Sequence, residues 1–504
     1  MNKQIKVGAI LSYVSLAITL LTGLIVTPIN LRLFGQAEYG LYSLAYTILE
    51  ALYIFDFGFS NAIVRYVSKF QTEKSSREIS NLNAMFLILY AIIGLLAFAA
   101  GMTLSFGAEF IFDRGLSPGE LARFKIMLMI VAINLGLSFP LEIFNSTLAA
   151  REKFIFTRTM RIIKVLVNPA VMITVLYLGF SSVIVLIAVS IVNISFTLIN
   201  VYYCLNILKV KIKLEKFDFS LFKEIARYSV WIFVARIVDV IYTKSDAFIL
   251  GAVVNSKAVA VFTVAGSLNN IYTQLTLVLG GLLLPSIVKL ISRDISNHEL
   301  SNVFIRVSRI QFFLAALVLC GFALVGSEFV RIWAGPGYHD AYWVTLMLMT
   351  VRFIPIVQML AVTILEAKFL HAFRAKLYLL VAVFNILISI PLAKEYGVIG
   401  CALGTVIGIT INTIIMNFYY AQIGLEMKRY FKEVFILFVP MLLLFMLGIG
   451  LRMLLNPASL LMIILFAAIF SAFYALVMFQ FMNQRERKLV LEPIKRIIKY
   501  KVES

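Results

Sequence analysis

Fourteen times along this 504-residue chain the sequence stays apolar for at least the ~20 residues a helix needs to cross a bilayer. The approximate limits are 8–33, 39–66, 79–106, 121–149, 155–178, 182–208, 222–251, 256–288, 302–326, 339–366, 371–393, 396–423, 432–453 and 458–482. The polar stretches between them are too short to build a soluble domain. The expected class is an all-α polytopic membrane protein with fourteen transmembrane helices. A mean hydropathy of +0.96 agrees, since few soluble proteins approach it. The runs that exceed the minimum imply tilt or extension beyond the bilayer.

The formal charge of +19 would suggest nucleic acid in a soluble protein. Here its distribution argues for topology, and no nucleic acid is expected. Of the 45 Lys and Arg, eight lie in one set of loops: Arg32, Arg114, Arg123, Lys125, Lys257, Arg331, Lys394 and Arg452. Three more (Arg236, Lys244 and Arg352) lie inside spans. The rest fill the alternate loops and both tails, with Arg151, Lys153, Arg158, Arg161 and Lys164 as one group and Lys209 to Arg227 as another. The positive-inside rule then places both termini in the cytoplasm and requires an even number of spans. The N-terminal run is too long for a signal-peptide core and lacks a cleavage motif, so it is expected to remain as the first span. Cys204, Cys320 and Cys401 have neither disulfide nor metal spacing and are expected to be small buried hydrophobes. His298, His339 and His371 are expected in loops.

A faint internal repeat sets the domain organisation. Residues 152–203 align without gaps on 367–418, pairing Lys153-Phe154 with Lys368-Phe369 and Val183-Ile184 with Val398-Ile399. Leu33 to Ala45 lies likewise over Val253 to Ala265. Six spans thus repeat as six, in parallel orientation. The expected divisions are a first six-helix lobe (1–208), a linker (209–221), a second lobe (222–425), two extra C-terminal helices (426–482) and a basic cytoplasmic tail (483–504). The linker region interleaves Lys with Val, Ile, Leu and Phe. The tail sets Leu489, Ile494, Ile497 and Ile498 against Lys488, Lys495, Arg496 and Lys499. Both read as amphipathic and suited to a lipid interface.

The seventh run is unusual. At ~100° per residue, Ser229, Arg236, Asp239, Thr243 and Asp246 fall on one stripe. A charge at the centre of a membrane helix costs roughly 2.5–3.5 kcal/mol, so this face is expected to meet water or a polar substrate. Arg236 and Asp239 also have the i, i+3 spacing of an ion pair. Other spans carry polar faces: Ser12, Ser15, Thr19, Thr22 and Asn30 in the first, and Glu50, Tyr53, Ser60 and Asn61 with Asp56 in the second. Thr263, Ser267, Asn270 and Gln274 line the eighth, and Arg352, Thr363 and Glu366 the tenth. Small hydroxyls can simply join membrane helices, so the charges carry the functional reading. The candidate substrate-binding set is Arg236, Arg352, Asp239, Asn270, Gln274 and Asn61. Glu50, Asp56, Asp239 and Asp246 are candidates for coupling to a proton or Na⁺ gradient.

No phosphate-binding G-x-x-x-x-G-K-[ST] loop is present. Asp56-Phe57-Gly58 spells a kinase motif without the rest of the set. No His/Cys cluster has zinc spacing, and no Ser/His/Asp set can be drawn. No cofactor, resident metal or catalytic residue is therefore expected.

Leu33-Phe34-Gly35-Gln36-Ala37-Glu38-Tyr39-Gly40-Leu41-Tyr42, followed by Asp56-Phe57-Gly58 and Arg65-Tyr66, resembles the first two helices of bacterial polysaccharide flippases. These form the Wzx-like branch of the multidrug/oligosaccharidyl-lipid/polysaccharide (MOP) exporter superfamily. Arg227-Tyr228-Ser229, Asp246, Gly251 and Pro285 resemble the second-lobe pattern. Where many members carry proline after this Tyr-Ser, Val230-Trp231 stand, so no proline kink is expected there. The resemblance implies a V-shaped alternating-access transporter of undecaprenyl-diphosphate-linked oligosaccharides in the bacterial cytoplasmic membrane, working among membrane lipids and other polysaccharide-assembly proteins. It also leaves open a cation-coupled drug antiporter of the same superfamily. A membrane polymerase or glycosyltransferase is a third reading, against which the short outer loops stand.

Overall fold

The computed structural model describes residues 3–73, 75–291, 296–368, 370–484 and 486–487, and among these it is all-helical, with no strand. The amphipathic tail expected over 488–504 lies outside the described residues. Two compact units emerge: one runs to Thr263 and takes in Ile386–Cys401, and the other holds Val264–Asn385 and the described residues from Ala402 on.

The first unit begins with α1 (Lys3–Phe34) and α2 (Gln36–Leu52), followed by a 3₁₀ turn (Tyr53–Asp56) and α3 (Phe59–Glu73). Phe57 (φ 51°) and Gly58 (φ 77°) both adopt left-handed backbone here. The second apolar run is therefore a pair of helices bent by 42°. Next come α4 (Ser76–Phe106), α5 (Ala108–Phe112), α6 (Pro118–Ala150), α7 (Phe154–Tyr177) and α8 (Ser182–Tyr202). Local sequence sets these starts: Ser75 with Glu78, and Ser117 with Glu120 behind Pro118, form reciprocal capping boxes. The extended apolar faces of α4 and α6 pack through small residues, Gly94 against Gly136 and Gly101 against Ala132. Arg158, Arg161 and Lys164, grouped with a loop on sequence grounds, lie on α7 itself.

The linker is irregular: residues 209–217 form neither helix nor strand, and Lys209 has a left-handed backbone (φ 49°). Val210, Ile212 and Leu214 alternate with Lys211, Lys213 and Glu215, a period of two that belongs to extended chain. Its backbone is held by the start of α4. The Asn81 carboxamide accepts from Glu215 N (2.8 Å) and donates to Lys216 O (2.8 Å), while Asn83 donates to Lys211 O (3.2 Å). Asp218 then caps α9 (Phe219–Val253), accepting from Ser220 N and Leu221 N. The opening turns of α10 (Ser256–Ile291) close this stretch.

The second unit is built on α11 (Asn297–Trp333), a 37-residue helix buried along most of its length. Around it are α12 (His339–Val357), α13 (Met359–Ala367), α15 (Met427–Phe435), α16 (Phe438–Leu455) and α17 (Leu460–Phe481), with α14 (His371–Gln422) between α13 and α15. Phe304, Phe312, Phe353, Phe438, Phe466 and Tyr474 form the aromatic part of the core. The two C-terminal helices join that core directly, as when Tyr474 OH donates to Phe313 O (2.9 Å).

Ten helices among the described residues are long and apolar enough to cross a membrane, or eleven if the bent pair is one span. Part of the difference from fourteen has a clear physical origin. The 52 residues of α14 contain Gly397 at φ 59°, ψ −134°, a conformation open to glycine alone. An unbroken helix would separate Asn385 from Thr405 by about 30 Å. Instead, Asn385 Nδ2 donates to Thr405 Oγ1 (3.3 Å) and Ser389 Oγ to Cys401 O (3.4 Å). The chain thus doubles back at Gly397, as the runs 371–393 and 396–423 require. All three cysteines are free and buried. The described histidines begin helices rather than lying in loops: His298 stands in the first turn of α11 and His339 opens α12, as the backbone of His371 opens α14.

Candidate functional site

Arg236 is the central residue of α9, which is unbroken from Phe219 to Val253. The polar stripe predicted for this helix is covered at both ends and open in the middle. Ser229 is 1% and Asp246 5% exposed. The side chains of Arg236 and Asp239 are 66% and 61% exposed and pair at 3.8 Å.

The neighbours of α9 explain this pattern. The helix runs antiparallel to α2 and α3 and is fastened to them at two levels. Toward its start, Tyr66 OH donates to Glu224 (3.0 Å), the Arg65 guanidinium lies 4.6 Å from the Tyr228 ring centroid, and the Phe57 and Phe233 rings approach to 4.7 Å. Gly58 is required at this level twice over, by its φ of +77° and because a Cβ would sit 2.7 Å from the Ile232 side chain. Toward the end of α9, Lys244 forms an ion pair with Glu50 of α2. The bend between α2 and α3, at Phe57 and Gly58, meets α9 at Phe233 and Ile232, about one turn before Arg236, and the stripe is open between this level and the Lys244–Glu50 pair. Solvent-like exposure of two charges at the centre of an apolar helix is affordable only against water or a polar ligand.

Beside the bend lies a second polar group. Asp56 Oδ1 accepts from Ser60 Oγ and from the fully buried Tyr90 OH, each at 2.6 Å. Glu142 on α6 accepts from Asn145 (2.9 Å), whose Oδ1 accepts from Asn200 of α8 (2.6 Å). Asp56 and Lys164 are the charged groups that act on Glu142. Carboxylates so arranged can take up and release a proton or a small cation. Sequence reasoning missed Glu142, Lys164 and Tyr90. An acidic residue inside the apolar run of α6 was the available signal for the first. Lys164 was masked by its place in a basic segment.

The remaining candidates are dispersed. Asn61 is exposed on α3. Asp246 is buried, and the Cys401 thiol donates to its carboxylate (3.6 Å). Glu50 and Asp239 are each tied to a cation, Lys244 and Arg236. Asn270, Gln274 and Arg352 belong to the second unit. There Gln274 donates to Asn270 (3.4 Å), and the Arg352 Nε is buried with no hydrogen-bond partner among the described residues. Among the described residues, no group of three or more His, Cys, Asp or Glu is placed to hold a metal ion.

Known proteins share this sequence and this fold. Residues 31–343 match the family described as polysaccharide biosynthesis protein. A protein described as an O-antigen transporter in Shigella flexneri is 19% identical over 397 residues, covering 78% of this chain and 91% of its own. One described as the flippase AglR in Haloferax volcanii is 25% identical over 177 residues, 34% of this chain and 37% of its own. Among solved structures, an inward-facing multidrug resistance MATE family transporter of the MOP superfamily superposes with a TM-score of 0.57. It is 13% identical and covers 83% of this chain and 99% of its own. The eukaryotic MATE transporter AtDTX14 also gives 0.57, at 12% identity over 86% of this chain and 99% of its own. These structures establish the fold, and the sequence match establishes the lineage: the chain belongs to the polysaccharide biosynthesis protein family.

Proposed function

We propose that this protein carries lipid-linked oligosaccharide units, on undecaprenyl diphosphate, from the inner to the outer leaflet of the bacterial cytoplasmic membrane for cell-surface polysaccharide export. Fourteen spans are part of the reading, with α2–α3 and α12–α13 as broken spans and α14 as two. So are two six-helix lobes, two extra helices, cytoplasmic termini and transport by alternating access. The protein relocates its substrate and makes or breaks no bond in it.

One observation carries the proposal: the exposed Arg236–Asp239 pair at the centre of α9. A guanidinium in a water-accessible apolar helix suits a phosphate or an acidic sugar, through charge-assisted hydrogen bonds. The lipid tail stays in the bilayer while the headgroup passes. Coupling to a proton or Na⁺ gradient belongs to the same reading, with Asp56 and its hydroxyl partners as the responsive group. In a deletion strain, Arg236→Ala should fail to restore glycan export while reaching normal abundance in the membrane. Normal export by that variant would remove Arg236 from the transport path. The Asp56 group also suits a cation-coupled antiporter of small molecules. Efflux of organic cations by reconstituted protein, with no movement of lipid-linked sugar, would favour that alternative.

A further inference from the structure

The second unit has an arginine-rich cavity, far along the sequence from the polar stripe of α9. It measures ≈ 430 Å³; three arginines (Arg306, Arg309 and Arg429), three carboxamides (Asn302, Asn483 and Gln484), Ile305 and the carboxylate of Glu433 line it. Two of its three arginines are already neutralised. Arg309 is buried and holds Glu486, Nε to Oε1 at 2.8 Å, while its other nitrogens donate to Glu433 O and Phe481 O (2.9 Å each). Arg429 pairs with Glu433 (2.7 Å) and Glu426 (3.2 Å). Arg306 is different: it is partly buried and has no hydrogen-bond or ion-pair partner among the described residues. The cavity therefore offers one uncompensated guanidinium beside three carboxamides, a donor set that matches a phosphate.

The surroundings of this cavity suit a lipid interface. The short helix α15 buries Met427, Tyr430 and Val434 on one side and exposes Lys428 and Lys432 on the other. Tyr430 stacks on Phe304 (4.8 Å), which seats α15 against α11. Exposed Phe435 (49%) and Ile436 (59%) lead from it into the apolar α16. A helix of this kind lies along an interface, with its cations among the headgroups.

We infer that this cavity binds a phosphate carried on a lipid, with Arg306 as its principal ligand. Such a phosphate has two sources, an anionic phospholipid of the bilayer or a polyprenyl carrier, and the reading does not depend on what the protein transports. The full-length protein, purified in a non-ionic detergent, is titrated with phosphatidylglycerol, undecaprenyl phosphate, phosphatidylcholine and inorganic phosphate. Native mass spectrometry reads lipid adducts, and thermal melting reads stabilisation. Phosphatidylglycerol, undecaprenyl phosphate or both should bind in preference to phosphatidylcholine, and which of them does so identifies the source. Arg306→Ala and Arg306→Gln should weaken that binding by about tenfold or more, the usual scale for one charge-assisted contact. Their melting without lipid should match that of the parent, since no partner is lost. Lys223→Ala, which removes a cation from the first unit, should leave binding intact. Unchanged binding in both Arg306 variants, an equal loss in Lys223→Ala, or no preference over phosphatidylcholine would each overturn the inference. An equal effect of inorganic phosphate would overturn its lipid component.

Discussion

Two long unbroken helices, α9 and α11, have 35 and 37 residues and handle charge in opposite ways. On α11, Arg309 is buried and all its nitrogens are spent on Glu486 and two backbone carbonyls. On α9, the central Arg236 and Asp239 share a long 3.8 Å contact and remain mostly exposed. A buried, saturated guanidinium is a fixture of the fold. An exposed one in the middle of an apolar helix is available to something else. The lesson is that charge within a membrane helix divides by saturation, and only the unsaturated kind marks a working surface.

The sharpest way to break this contrast is to delete both arginines. Arg309→Ala leaves the Glu486 carboxylate buried without its partner and should cost about 3–5 kcal/mol, seen as a large fall in the thermal midpoint. Arg236→Ala should shift the same midpoint by no more than about 0.5–1 kcal/mol while export is lost. Comparable destabilisation by the two would erase the distinction. Next in size is Gly397→Ala, which forces a side chain into backbone that only glycine tolerates. It should destabilise by about 1–3 kcal/mol without involving either arginine. Tyr90→Phe removes one hydrogen bond to Asp56 and keeps the ring, with an expected cost of about 0.5–1.5 kcal/mol. If the Asp56 group responds to the driving ion, the pH profile of transport should move as well, which a purely structural tyrosine would not produce.

The smallest effect concerns Glu426, at the start of α15. The His298 imidazole, hydrogen-bonded at 2.8 Å, holds its carboxyl below the usual carboxylate range, and Arg429 acts in the same direction. A carboxyl depressed in the folded protein contributes stability above its unfolded value of about 4.3 and loses it as pH falls through the lower folded value. His298→Ala should flatten that acid limb by lowering the thermal midpoint slightly at neutral pH and leaving it unchanged at acid pH, where the carboxyl is protonated in both states.

How much of this was legible in the sequence follows from the range of each interaction. The apolar runs, the stripe on α9 and the Arg236–Asp239 spacing are local, and periodicity reveals them. The Glu50–Lys244 pair spans 194 residues and the Asp56–Tyr90 bond 34, and only tertiary packing brings such groups together. The break at Phe57-Gly58 was present as a motif, yet its meaning depended on Ile232 filling the space beside it. In the linker the alternation of apolar and basic residues was visible, but amphipathic character alone does not fix a backbone conformation, and the carboxamides of Asn81 and Asn83 bind its backbone outside any helix.

The doubling back at Gly397 also governs how the gene can be cut. The first unit takes Ile386–Cys401 from the tip of that hairpin, so it is not a contiguous stretch of polypeptide. Fragments divided at the 209–217 linker would split the first unit: the leading one would lack the hairpin tip and α9, and the trailing one would carry both of these beside the whole second unit. A shuttle of either half into another gene would therefore move part of the first unit without the rest.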